Sequence, residues 1–217
     1  MTASANATDG TRRRARGEQT RARIIEAALD VIAEGGVGAV THRAVARQAD
    51  VQLSLTTYYF KDLNTLLLEA FEHFAKRGRP ELDALWDTVF SEMEPGRPAS
   101  VEQLTAVATD YIWAQVQERP RGLSVEQSFF NYARLDAAVR PLADAHLAAL
   151  RAPLVKLCER LGTALPELDG TLLLGTLMRL EYEAASGLAG RGRDETAAII
   201  HRQIECLARP GYIEEST

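Results

Sequence analysis

Thr41 to Leu66 reads THRAVARQADVQLSLTTYYFKDLNTL, and its spacing predicts two short helices joined by a tight turn, then aromatics and the start of a third helix. Val45, Ala46, Ala49 and Val51 are small and apolar, as two closely crossing helices require. Thr41 offers an N-cap hydroxyl for a helix over His42 to Ala49. Asp50 follows where the chain needs a left-handed residue, a conformation Asp tolerates better than most. A second helix is expected over Leu53 to Tyr59, and another begins at Lys61-Asp62. The opposite face then carries Thr41, His42, Arg43, Gln52, Leu53, Ser54, Thr56, Thr57, Tyr58 and Lys61. These are donors, acceptors and thymine-methyl partners suited to phosphates and base edges in a major groove. Backbone N–H groups at the start of a helix favour phosphate as well.

Immediately upstream, TRRRARGEQTRAR (residues 11–23) is basic and polar. Arg12, Arg13, Arg14 and Arg16 are expected either to enter a minor groove or track phosphates, or to serve as a solubilising tail. Residues 1–16 are expected to be a mobile arm without DNA. Ile24, Ala27, Ala28, Val31 and Ile32 recur at helical spacing, which predicts a helix over Glu18 to Glu34 stopped by Gly35-Gly36. Charge divides along the same line. Residues 1–61 hold nine Lys/Arg against six Asp/Glu, and the remaining 156 hold sixteen against twenty-four. A balance of +3 thus faces one of −8, so the basic charge lies where the DNA-reading pattern lies.

Downstream the pattern stays helical, with segments expected near 81–93, 101–117, 123–138, 142–162, 168–188 and 194–208. The expected class is all-α: a flexible basic arm (1–16), a three-helix helix-turn-helix head (17–61) and a larger helical body (62–217). Gly78 and Pro80 predict a break, Pro95, Pro98, Pro120, Pro141 and Pro166 punctuate the rest, and Pro153 predicts a kink or split inside a helix. At 46% hydrophobic and 25% charged residues the chain is an ordinary globular composition. No apolar run approaches the ~20 residues of a membrane span. The two cysteines, Cys158 and Cys206, are too few for a disulfide framework, which makes a reducing cytoplasm the expected location.

The stretch beginning at Arg21, RARIIEAALDVIAEGGVGAVTHRAVARQADVQLSLTTYYFKDLNTLL, resembles the DNA-binding head of TetR-family transcriptional regulators over residues 21–68. Ile24-Ile25, Ala27-Ala28, Gly36, Thr41, Val45-Ala46, Ala49, Val51, Tyr58-Tyr59-Phe60 and Leu66 carry the resemblance in register. It implies a homodimer whose two heads read a palindromic double-stranded DNA operator, with half-sites about one helical turn apart. It also implies a body pocket that, when filled by a small molecule, changes the spacing of the heads and releases a repressor, with the helix after the head as lever. The segments 142–162 and 168–188, rich in Ala and Leu, are its expected four-helix dimer interface. Four positions depart from the pattern: Asp50 stands for glycine, Gln52 for a capping Ser, Thr57 for a DNA-contacting Tyr and Leu63 for a Lys. No operator sequence therefore transfers from relatives.

Aromatics of the body either line an apolar ligand site or fill its core. Among Phe71, Trp86, Phe90, Tyr111, Trp113, Phe129, Phe130, Tyr132, Met178 and Tyr182, the residues expected to bind a lipophilic or aromatic effector are Phe71, Trp86, Tyr111, Phe130, Met178 and Tyr182. Arg179, Glu181 and Glu183 interrupt an apolar helix and are expected to anchor a ligand, pair across a dimer or face water. The four histidines and two cysteines show no metal spacing, and no phosphate loop or GxSxG is present. Neither catalysis nor a cofactor is expected. The alternatives are an all-helical small-molecule-binding protein with an incidental helix-turn-helix, and a regulator controlled by a protein partner.

Overall fold

The computed structural model describes residues 3–93 and 100–207, so the expected breaks at Pro95 and Pro98, and the side chain of Arg13, lie outside the described residues. Regular structure among those residues is helical, without strands. In chain order the helices are α1 (Ala3–Gly35), α2 (His42–Gln48), α3 (Leu53–Tyr59), α4 (Leu63–Glu92), α5 (Val101–Glu118), α6 (Pro120–Ala133), α7 (Arg140–Leu161), α8 (Pro166–Ser186) and α9 (Arg193–Leu207).

Three expectations are corrected. Residues 3–16, expected within a mobile arm, are helical, because α1 runs unbroken from Ala3. Arginine, alanine, glutamate and glutamine are strong helix formers, and together they outweigh the ~1 kcal/mol that Gly17 costs relative to alanine. Gly17 has its own use, since a Cβ there would stand 3.3 Å from the Tyr59 hydroxyl. The break at Gly78 and Pro80 is absent, and α4 continues through both. Pro80 and Lys76, whose carbonyl Pro80 leaves without a helical donor, are both exposed, so water can take up that acceptor. Likewise α7 is not split at Pro153 but runs through it.

The chain divides into two compact units, residues 1–77 with 124–142, and residues 78–123 with 143–217. The cut falls within α4, not at 61/62, because the first turns of α4 pack with the head. In the first unit Ile24, Ala28, Ile32, Val45, Phe60, Leu66, Ala70 and Phe71 lose all solvent contact. Phe71 stacks on Phe129 at 4.4 Å. Ser124 Oγ donates to the Ala33 carbonyl at 2.8 Å. The second unit is built on Val89, Met93, Leu104, Ile112, Leu154, Leu157, Leu173, Leu180, Ile200 and Ile204. Ser100 and Gln103 form a capping box that starts α5. Gly170 lets α8 lie against α7, where a Cβ would come within 2.8 Å of the Val155 backbone nitrogen.

Candidate nucleic-acid interface

The helix-turn-helix is formed as its residues predict. Thr41 caps α2, its hydroxyl accepting from Ala44 N–H at 3.0 Å. Val45, Ala46 and Ala49 are buried between α2 and its neighbours. Asp50 takes the left-handed conformation with φ 50°, and Val51 N–H closes the turn on the Ala46 carbonyl at 3.0 Å. Gln52 precedes α3 as N-cap without a side-chain cap bond, so its amide is left for other partners. Asp62 begins α4, accepting from Thr65 N–H at 2.7 Å and from the Thr65 hydroxyl at 3.1 Å.

With the apolar faces buried, Thr41, Arg43, Gln52, Leu53, Ser54, Thr57, Tyr58 and Lys61 are exposed and His42 half-buried. Tyr58 is 77% exposed. It meets Tyr59 edge-on at 5.1 Å at the end of α3. Arg12, Arg14 and Arg16 are exposed along the N-terminal part of α1. Thr56 is corrected: it has no exposed surface, and its hydroxyl donates to the Leu53 carbonyl at 2.8 Å. It belongs to the packed side of α3 and reaches no DNA. Phe60 is core, lying under the Arg21 guanidinium at 5.1 Å.

Two braces escaped sequence reasoning because both pair residues far apart in the chain. Arg23 Nη2 donates to the Ala49 carbonyl at 2.6 Å, so α1 holds the turn itself. Glu26 of α1 receives His73 Nε2 and Arg77 Nη1, each at 2.7 Å, from α4. The Arg21–Glu69 ion pair adds a third tie between the same two helices.

The expected effector residues fall in both units. Phe71 and Phe130 belong to the first unit, and Trp86, Tyr111, Met178 and Tyr182 to the second. Phe71 is corrected to core, having no accessible surface. Tyr182 is corrected to an outer position, being 43% exposed. Glu183 neither faces water nor is left for a second chain: it is buried and receives Arg191 Nε at 2.8 Å and Arg179 Nε at 2.5 Å. The Arg191 hydrogen bond is the main cause of its lowered carboxyl pKa. Burial pushes the Cys158 thiol up to about 11, so it stays protonated at neutral pH and serves as apolar filling. An open groove of about 360 Å³ between α5 and α9, lined by Glu102, Thr105, Thr109, Asp110, Asp194 and His201 among others, includes none of the expected residues.

A capped helix-turn-helix with a buried apolar seam and an exposed polar face has the features of a DNA-binding head. Residues 24–78 match the family of bacterial regulatory proteins, tetR family. That match covers about a quarter of the chain and contains the helix-turn-helix. Similar solved structures extend the fold to the body. A candidate transcriptional regulator of Streptomyces coelicolor A3(2) is 26% identical, with 85% of this chain and 98% of that one covered, at a TM-score of 0.64. A candidate TetR-family regulator of Mesorhizobium loti is 17% identical, covering 88% and 96%, at 0.70. The multidrug binding protein EbrR, solved with proflavin, is 21% identical, covering 85% and 99%, at 0.57. No curated protein matches the chain. No described helix is long and apolar enough to cross a membrane.

Proposed function

We propose that the protein is a homodimeric repressor that binds a near-palindromic operator through α2 and α3 and is released from it by a lipophilic or aromatic small molecule. One observation carries the DNA reading: the seam of the helix-turn-helix is sealed while Arg43, Gln52, Ser54, Thr57, Tyr58 and Lys61 stay exposed. In this reading Arg43, Gln52 and Ser54 address base edges or phosphates at the helix starts. Thr57, Tyr58 and Lys61 hold the phosphate wall, and Arg12, Arg14 and Arg16 extend the basic surface along α1.

The second copy is expected on α8. Leu168, Leu172, Gly175, Arg179 and Tyr182 repeat at intervals of four and three residues, the seam spacing of packed helices. Leu168 is 60% exposed and Leu172 63%, an apolar surface that a second copy would cover. The fold shared with a multidrug binding protein solved with proflavin supports a small-molecule effector. Its effect would be a population shift, the ligand favouring a body whose heads no longer match the operator.

Selection of bound sequences from random duplex DNA tests the reading. The full-length protein is expected to enrich a two-fold motif with half-sites one helical turn apart. A folded protein that enriches nothing would overturn it. Light scattering on Leu172→Glu tests the dimer: a monomer with unchanged helicity is expected, and an unaltered dimer would move the interface elsewhere.

A further inference from the structure

The chain has two tryptophans, and both carry a buried indole nitrogen with no hydrogen-bond partner among the described residues. Trp86 of α4 and Trp113 of α5 pack against the same apolar cluster of the second unit. Among the described residues four buried side-chain polar atoms lack a partner, and these two indoles account for half. A buried tryptophan ordinarily finds an acceptor, and a donor left without one is costly. Two such donors on one cluster are a pair of unanswered N–H groups in an apolar setting, the composition of a ligand site with few orienting polar groups.

The charge near Trp86 bears on the choice of ligand. Trp86 stacks on Phe90 at 5.5 Å. Phe90 in turn lies under two cations, Lys156 Nζ at 4.5 Å and the Arg160 guanidinium at 4.7 Å, and Arg160 Nη1 also donates to its carbonyl at 2.8 Å. Two positive charges over Phe90, both on exposed side chains, disfavour a cation and favour electron-rich oxygen beside Trp86. We propose that Trp86 and Trp113 are the orienting donors of the effector site, and that the effector is a planar apolar molecule bearing hydrogen-bond acceptors, uncharged or anionic. This rests on the small-molecule reading above and departs from a cationic ligand such as proflavin. Both rings are partly accessible while their nitrogens are covered, so the ligand reaches the N–H groups by displacing neighbouring side chains.

Fluorene, 9-fluorenone and proflavin separate the cases, since the first two differ only by a carbonyl and the third is a cation. In equilibrium dialysis against the full-length protein, fluorenone is expected to bind about tenfold more tightly than fluorene, the effect of a hydrogen bond worth about 1.4 kcal/mol, and more tightly than proflavin. Equal affinities, no binding of either fluorene or fluorenone, or a preference for proflavin would overturn the proposal. The unmodified protein gives a second readout. Its two indole 1H–15N signals should move downfield with fluorenone and not with fluorene, and signals unmoved by fluorenone would overturn it. Replacing each tryptophan in turn by 3-benzothienylalanine removes only the N–H. Fluorenone affinity should fall towards that of fluorene with either replacement and reach it with both, while the melting temperature holds, whereas a marked loss of stability would overturn the proposal by showing that the N–H is already bonded. Operator affinity with fluorenone bound is a separate measurement: unchanged DNA binding would end the release mechanism and leave the acceptor-selective site standing.

Discussion

Thr56 and Thr57 are adjacent, chemically identical, and opposite in exposure. Each hydroxyl donates to a carbonyl three residues back, at 2.8 Å and 3.1 Å, but Thr56 is fully buried and Thr57 exposed. Thr56→Val is expected to lower stability by about 1 kcal/mol, the net worth of a hydrogen bond, whereas Thr57→Val leaves the melting temperature unchanged and weakens DNA binding. Arg43→Ala, at an exposed position one residue into α2, should weaken operator binding about tenfold to a hundredfold, as expected for an interaction worth about 1–3 kcal/mol. Its melting temperature should match the unaltered protein. A filter-binding series beside thermal scans checks all three substitutions, and an unweakened Arg43→Ala would remove that side chain from the interface. Arginine at a helix start is legible in the sequence. Which of two neighbouring threonines points inward depends on the register of α3 against α2, which composition does not encode.

Elements are held by caps and close approaches. Asp62 starts α4, and its carboxyl pKa lies below the ordinary 3.8, first because Thr65 N–H donates to it and then because the Thr65 hydroxyl does. A carboxyl lowered on folding stabilises above its ordinary pKa, and that contribution disappears as pH falls through the folded value. The melting temperature of the unaltered protein should therefore fall more steeply below about pH 4 than that of Asp62→Asn; parallel curves would show that the cap is not coupled to folding. Gly170 is the close approach between α7 and α8. Gly170→Ala pushes a Cβ to 2.8 Å from the Val155 backbone nitrogen, backbone that cannot yield as a side-chain tip can. A destabilisation of about 1–3 kcal/mol is expected by urea denaturation, and an unchanged midpoint would show that the helices separate freely. The helices around 41–61 are legible in the sequence because caps, turn and apolar spacing agree locally. Pro80 misleads because proline signals a boundary only where nothing else holds the helix.

At the scale of the whole molecule, charge decides how DNA is approached. Residues 1–61 carry a balance of +3, and the rest −8. Removing residues 1–16, and with them four arginines of α1, should weaken operator binding and flatten its salt dependence, because a protein that neutralises fewer phosphates releases fewer counterions. Titrations at several salt concentrations check this, and an unchanged slope would leave the extension a solubilising helix. The head, its polar face and the all-helical class were settled by the sequence alone, because capping, turn chemistry and helical periodicity act between residues a few positions apart. The tertiary structure alone decided which aromatics are core and which are outward. It buried Phe71 against Phe129, turned Tyr182 to the surface, and drew Arg23 onto the Ala49 carbonyl and Glu183 between Arg179 and Arg191. Most of those partners lie on different elements, and their pairing depends on how helices cross, which no local pattern specifies.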